Sequence, residues 1–295
     1  MHGTAFDSMT RRFAMGLSRR RLVKLTALGA VAALPVSIGQ AKSLAQSEAS
    51  ALVQRFYENV DAYQYKQAYA LLGAKWHTQQ SLQRFTNGYG NTAFVQCKTT
   101  SEQTSGNTTV VGVHLISWHN DGKIVGYTGH YTVGEENGQL LILGGINTLT
   151  AAPSGTPPLC TIDDLSLATG AWQGAAGSRI GSIVGTNQSD RTCTLGGAPR
   201  VTLIDEQGHE LVSTSEEGSP PTAIHVGPGK SAEAPLSFSN WCGDTGSPAS
   251  LRAQVPGDTG SADVHHQANG ISYPPCNGPG QSAHIAIKGW TTSPS

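Results

Sequence analysis

The pattern of apolar and polar positions divides the chain into parts of different character. Over residues 47–72 apolar residues recur at helical spacing, with Leu52, Phe56 and Val60 each four positions apart. This spacing puts them on one face and predicts an amphipathic helix. Short helical stretches follow around Ala68 and at residues 81–85.

After residue 90 the apolar positions alternate with polar ones, which is the period of a half-buried strand. The turns between these runs are rich in Asn, Asp and Gly, as hairpin turns are. Strands are predicted at residues 95–101, 108–118, 123–133 and 139–146. Helices followed by a meander predict an α+β domain, in which a curved antiparallel sheet wraps a helix.

From Cys160 onward helical spacing is absent, and short apolar runs are interrupted by Gly, Pro and Asn about every ten residues. This pattern is typical of an all-β antiparallel sandwich. Residues 151–158 read Ala-Ala-Pro-Ser-Gly-Thr-Pro-Pro, a linker composition. The sequence therefore predicts two domains, with the α+β domain at residues 46–150, the linker at 151–158 and the β-sandwich at 159–295.

Residues 1–45 have the pattern of an export signal. A basic segment, Ser18-Arg19-Arg20-Arg21-Leu22-Val23-Lys24, precedes an apolar run at residues 25–38, and Ser43-Leu44-Ala45 offers cleavage before Gln46. The run is shorter than the roughly 20 residues that span a bilayer. Arg19 and Arg20 resemble the twin-arginine consensus, which implies export of a folded chain; an ordinary secretory signal is the alternative. Both predict a secreted or cell-surface bacterial protein, and Met9 or Met15 is an alternative start.

Composition excludes several kinds of partner. The formal net charge is −1 and only 13% of residues are charged, so no basic surface for nucleic acid or an anionic membrane is predicted. No long apolar segment follows the signal, so no membrane span is expected in the mature chain. Phosphate-loop, dinucleotide and hydrolase motifs are absent, so no cofactor is expected. The partner predicted is a small molecule or a cell-envelope component.

Four of the five cysteines lie in the downstream domain, as expected for disulfides in an oxidising compartment. Three connectivities are possible, and neighbours in sequence are the predicted pairs, Cys160–Cys193 and Cys242–Cys276. Zinc is the rival interpretation, but no Cys-x-x-Cys occurs, so no metal site is predicted. Cys97 is interpreted as an inert buried thiol, with a reactive thiol or an intermolecular disulfide as the alternatives.

Two families resemble parts of the chain. Helices followed by a meander, with Val53-Gln54-Arg55-Phe56-Tyr57 and Ala68-Tyr69-Ala70-Leu71-Leu72, resemble the nuclear transport factor 2-like (cystatin-like) superfamily over residues 47–149. This resemblance implies a cone fold whose concave sheet can hold a pocket, where enzymes of the superfamily use Asp/His pairs.

The ordered landmarks of the downstream half resemble the domain-of-unknown-function 4232 family of secreted bacterial proteins. They include Gly174-Ala175-Ala176-Gly177, Cys193-Thr194-Leu195-Gly196-Gly197-Ala198-Pro199, Val226-Gly227-Pro228-Gly229-Lys230 and Trp241-Cys242. The resemblance implies an immunoglobulin-like sandwich without an established activity.

Three functions follow as hypotheses. The preferred one is a non-enzymatic exported protein with a binding or structural role. The second is an isomerase, dehydratase or cyclase that uses His114 or His130 with Asp61 in the cone pocket; it competes with the interpretation that these alternating polar residues face solvent. The third is an adhesion module for wall polysaccharide, which predicts exposed tryptophans on one sandwich face.

Overall fold

The computed structural model describes residues 47–216, 223–243, 250–266, 271–278 and 281–292. The predicted signal peptide, with Arg19 and Arg20, lies outside the described residues. The described chain has a helical part at its start and is mostly β-sheet afterwards, an α+β arrangement followed by a β arrangement. We refer to residues 47–150 as the α+β region and to residues 159–292 as the β region.

The helices of the α+β region are α1 (Glu48–Asp61), α2 (Tyr65–Ala70), α3 (Ala74–Gln79) and α4 (Leu82–Gly88). Ser47 caps the start of α1, because its hydroxyl accepts a hydrogen bond from the Ser50 N–H. The hydroxyls of Ser47 and Ser50 also donate to the Glu102 carboxylate on the sheet, which holds the first turn of α1 in place. The helical pattern of residues 47–72 is interrupted at Tyr63, so it forms two helices.

The sheet of this region is an antiparallel meander of β1 (Thr92–Ser105), β2 (Thr108–His119), β3 (Ile124–Glu136) and β4 (Gln139–Thr150). Its inner face packs against the apolar face of α1. The buried residues that meet there include Val53, Phe56, Tyr57, Val60, Val111, Val113, Leu115, Tyr127 and Tyr131. Alternation along the strands therefore separates a packed inner face from a polar outer face.

The β region begins with a short 3-10 turn at Ile162–Asp164, and the regular elements described after it are all strands. They are β5 (Leu165–Thr169), β6 (Gln173–Ala175), β7 (Ser178–Asn187), β8 (Cys193–Leu195), β9 (Arg200–Ile204), β10 (Glu210–Glu216), β11 (Ile224–Val226), β12 (Ser231–Ser239), β13 (Ser250–Gln254), β14 (Ala262–Val264), β15 (His284–Ile287) and β16 (Thr291–Thr292). Strands β8 and β11 form a separate pair.

The other strands form one continuous ten-stranded sheet, in the order β14-β13-β9-β10-β15-β12-β7-β5 with β6 and β16 attached. Among the described strands, one pair departs from the all-antiparallel pattern that the sequence predicts. The pair β10–β15 is parallel, which is possible because the long chain between these strands supplies the crossover. At the ends of the sheet, Thr169 N–H donates to the His265 carbonyl at 2.8 Å and bridges β5 to β14. The sheet thus rolls up and closes around one apolar core.

Two disulfides lie in the β region, and they are the two pairs that sequence order predicts. The Cys160–Cys193 bond, with an S–S distance of 2.03 Å, is part of the buried core. The Cys242–Cys276 bond, at 1.99 Å, lies at the surface. Disulfides are characteristic of oxidising compartments, so the pairs point to an extracytoplasmic protein.

The α+β region and the β region are in direct contact. Trp118 donates its indole N–H to the Pro157 carbonyl at 3.0 Å, and the Thr194 hydroxyl donates to the same oxygen, also at 3.0 Å. The ring of Phe94, fully buried, packs against Gly196. The predicted linker is therefore anchored at its downstream end, where it joins both regions.

Candidate functional site

The two predicted histidines lie on the outer face of the α+β sheet. His114 on β2 and His130 on β3 are both exposed, while their neighbours Val113 and Tyr131 point into the core. The register pairs His114 with Thr128 and His130 with Gly112, so the histidines are diagonal neighbours on one face.

Asp61 lies on the opposite side of the sheet from these histidines. It is buried at the end of α1, where one carboxylate oxygen accepts a hydrogen bond from the Val95 N–H at 2.7 Å. The structure therefore does not bring Asp61 together with His114 or His130, because the sheet separates them. Its carboxylate joins α1 to the start of β1.

The inner face of the sheet, towards α1, holds a small polar cluster instead of an Asp/His pair. The hydroxyls of Tyr57 and Tyr131 lie 2.5 Å apart, and the Asn147 amide donates to the Tyr131 hydroxyl at 2.6 Å. Around them, Val111, Val113, Leu115 and Tyr127 fill the space that a pocket would need.

Two tyrosines and the cysteine of this interior remain protonated at neutral pH. Burial raises the pKa of Tyr131 to about 12 and that of Tyr57 well above its usual range. Burial, together with the carboxylates of Asp61 and Glu58, raises the pKa of the Cys97 thiol to about 12. Because a general base has to be unprotonated near the working pH, Tyr57, Tyr131 and Cys97 are unsuited to that role.

A larger opening lies between the α+β region and the β region. This groove has a volume of about 580 Å³. Tyr63, Gln64 and Asn120 line one side, and the other side comes from residues 198, 200, 214 and 254–258 of the β region. Its size is within the range of small-molecule sites, roughly 300 to 1,000 Å³.

Tyr63 occupies an unusual position at the edge of the groove. The Tyr63 N–H donates to the Val60 carbonyl and the Gln64 N–H to the Asn59 carbonyl, which forms a Schellman end to α1. The residue in the left-handed position of this motif is usually Gly or Asn, yet here Tyr63 adopts it, with φ 54°. A left-handed conformation costs a residue with a side chain about 1–2 kcal/mol. Tyr63 is 48% exposed and its ring contacts that of Tyr65 edge-on, with centroids 6.1 Å apart, so burial offsets only part of this cost.

The β-region side of the groove carries several polar side chains beside apolar ones. The Gln254 amide donates to the Asp258 carbonyl at 2.7 Å, which fixes its orientation. The Asp258 carboxylate accepts hydrogen bonds from the N–H groups of Ile162 and Gly260, so both of its oxygens are engaged by backbone groups. Arg200 is 61% exposed and lies 4.0 Å from the Glu210 carboxylate.

The groove therefore combines side-chain amides and a hydroxyl with the apolar side chains of Ala198, Val255 and Pro256. Gln64, Asn120 and Gln254 each carry a carbonyl acceptor and an NH₂ donor, and Thr214 adds a hydroxyl. Such groups can donate to and accept from a hydroxylated ligand. Sequence reasoning missed this site because its residues lie in both regions. The one available signal was Tyr63, an aromatic residue directly after an amphipathic helix, where Gly or Asn is the usual choice.

Other kinds of site receive no support from the described ranges. They contain no group of three His, Cys, Asp or Glu side chains placed to hold a metal ion. Trp76, Trp118 and Trp290 are buried, and Trp172 and Trp241 are half-buried. Among the helices described, none is both long and apolar enough to cross a membrane.

Comparison with known proteins identifies the downstream half. Residues 160–291 match the family described as a domain of unknown function, DUF4232. The match begins at the first disulfide cysteine and covers nearly all of the β region. No curated protein matches the chain.

Proposed function

We propose that the protein is exported, by the twin-arginine route, and acts outside the cytoplasm as a non-enzymatic binding protein. Its ligand site is the groove between the α+β region and the β region. The α+β region is a cone of the nuclear transport factor 2-like superfamily, and the β region is an immunoglobulin-like sandwich that carries the second wall of the site.

The observation that carries this proposal is the groove with Tyr63 at its edge. Tyr63 adopts an unfavourable conformation while 48% of the residue stays exposed, so burial in the core explains little of its placement. Such strain is commonly found at ligand-contacting positions. Convergent amides and a hydroxyl beside an aromatic ring are typical of a site for a small polar molecule.

Two further observations support an extracytoplasmic binding role. The disulfides Cys160–Cys193 and Cys242–Cys276 require an oxidising compartment, which agrees with the predicted signal peptide. The interior of the α+β region is packed, and Tyr57, Tyr131 and Cys97 stay protonated at neutral pH, which favours binding over acid–base catalysis.

A thermal-shift screen of the mature chain tests the proposal. The panel contains monosaccharides, oligosaccharides, amino acids, dicarboxylates and nucleosides. We expect at least one class to raise the Tm of the wild type, since a ligand at 100 times its Kd stabilises the folded state by about 2.7 kcal/mol. Tyr63→Gly removes the ring and the strain together, so this variant folds but loses the shift.

Asn137→Gly is the matched control. Asn137 also adopts a left-handed conformation, with φ 54°, in the β3–β4 hairpin away from the groove residues. Asn137→Gly also relieves a left-handed conformation but leaves the groove unchanged. We expect this variant to keep the ligand-induced shift in Tm. A shift that persists in Tyr63→Gly, or a panel without any ligand, would contradict the proposal.

A further inference from the structure

A second depression adjoins the groove at Arg200. This extension has a volume of about 230 Å³ and lies over the outer face of β9 and β13. Arg200 and Gln254 line both, so the groove and its extension adjoin each other; we refer to the two together as the channel.

The floor of the extension follows the strands. Arg200 pairs with Gln254 and Thr202 with Arg252, and these side chains share the outer face, while Val201 and Leu203 point into the core. Strand β9 runs from Arg200 to Ile204, and at about 3.3 Å per residue the floor extends about 13 Å past the groove. A ligand that fills both parts is longer than a single sugar ring.

The charges on this floor are balanced. Arg200 lies 4.0 Å from Glu210, and the Arg252 guanidinium donates to the Asp263 carboxylate at 3.0 Å. Each cation thus has an acidic neighbour, and the surface carries no excess charge for a polyanion. Thr202 and Ser213, whose hydroxyls lie 3.2 Å apart, add neutral groups that donate and accept.

The floor also disfavours an extended peptide. Peptides commonly bind sheets by adding a strand to a free edge, through their backbone groups. Here β9 has a partner on each side, β13 and β10, so its backbone N–H and C=O groups are already engaged. Recognition has to go through side chains, and those present are hydroxyls, amides and paired charges.

We propose that the ligand is an uncharged oligosaccharide chain that runs from Tyr63 across Arg200 and Gln254 and along β9 past Thr202. This inference rests on the proposed function, because it names the class of ligand that the groove takes. Tyr63 offers an aromatic face to one sugar ring, and the polar floor binds the hydroxyls of the following units.

The test begins with an array of neutral and acidic oligosaccharides probed with the intact mature protein. Calorimetry then uses the best-binding series from monomer to hexamer. We expect neutral chains to bind and the affinity to rise with length until the channel is filled. Thr202→Val, which removes one hydroxyl from the extension, is expected to weaken binding of the longer chains about 3- to 10-fold, and to leave the monomer unaffected.

Thr104→Val is the matched control for this variant. The Thr104 hydroxyl forms an equivalent cross-strand contact with the Thr109 hydroxyl at 3.0 Å, beside the turn between β1 and β2. The groove residue Asn120 follows the opposite end of β2, so this contact lies away from the groove. We expect Thr104→Val to bind every chain as the wild type does.

The outcomes separate the two proposals. The oligosaccharide inference would be overturned if the monomer bound as tightly as the hexamer, or if Thr202→Val left the binding of longer chains unchanged. In either case, a thermal shift that depends on Tyr63 would still support the groove as the ligand site. An array in which only acidic chains or no chains bind would also overturn the oligosaccharide inference. An amino acid or nucleoside found in the thermal screen would then identify a different class of ligand for the same groove.

Discussion

The ring of Phe94 in the α+β region packs so closely on Gly196 in the β region that a Cβ added at Gly196 would lie 2.4 Å from the ring. Phe94 also lies against Trp118, with ring centroids 5.4 Å apart. Since Trp118 is hydrogen bonded to Pro157, these residues form a continuous contact between the regions on either side of the groove.

Gly196→Ala is therefore expected to lower the free energy of unfolding by about 1–3 kcal/mol, as overpacking of a filled site does. Chemical denaturation of the variant and the wild type measures this. Gly144→Ala is the matched control, because a Cβ at Gly144 has no atom within 4 Å. Equal effects of the two variants would show that the Phe94 contact is loose.

The thiol of Cys97 is expected to be unreactive in the folded protein. Burial raises its pKa to about 12 from 9.0, so at pH 8 the fraction of thiolate is small. Iodoacetamide should label Cys97 in denaturant and leave it unlabelled in the native state, as read by peptide mass. Rapid labelling of the native protein would instead favour the reactive-thiol alternative.

The same pKa shift predicts a loss of stability at alkaline pH. Below pH 9 the thiol is protonated in both states, and above it the unfolded chain loses the proton while the folded chain retains it. The free energy of unfolding therefore falls as the pH rises above about 9, by up to about 1.4 kcal/mol per pH unit. Comparison of the wild type with Cys97→Ala between pH 8 and 9.5 isolates this effect; parallel curves would contradict it.

The two disulfides are expected to differ in how readily they are reduced. Cys242 and Cys276 are exposed, whereas Cys160 and Cys193 are buried, and access limits thiol–disulfide exchange. Mild reductant should open Cys242–Cys276 first, as read by differential alkylation and peptide mapping. Removal of either bond by paired Cys→Ala substitution should cost about 3 to 4 kcal/mol. Any peptide that links Cys97 to one of the four would contradict the pairing.

Arg19 and Arg20 are expected to direct export through the twin-arginine route. Their joint replacement by Lys should trap the precursor inside the cell, as measured by fractionation and immunoblotting. A matched control is the other arginine pair, Arg11 and Arg12, whose replacement by Lys should leave export unchanged. Secretion that persists in the first variant would favour an ordinary secretory signal.

Local patterns in the sequence determined the parts of the fold that depend on which side of an element is buried. The spacing of Leu52, Phe56 and Val60 predicted α1, and all three are buried. The alternation of Val111, Val113 and Leu115 likewise predicted β2. In both cases burial repeats with the period of the element itself.

Tertiary structure alone decided the candidate site and the closure of the β region. Tyr63 and Arg200 meet because two regions pack together, and no local pattern encodes the distance between them. The parallel pairing of β10 with β15 likewise joins strands far apart in the chain, where periodicity carries no information on partners. His114 and Asp61 were separated for the same reason: spacing along the chain places each residue on its own element, and the packing of those elements decides which side of the sheet each one occupies.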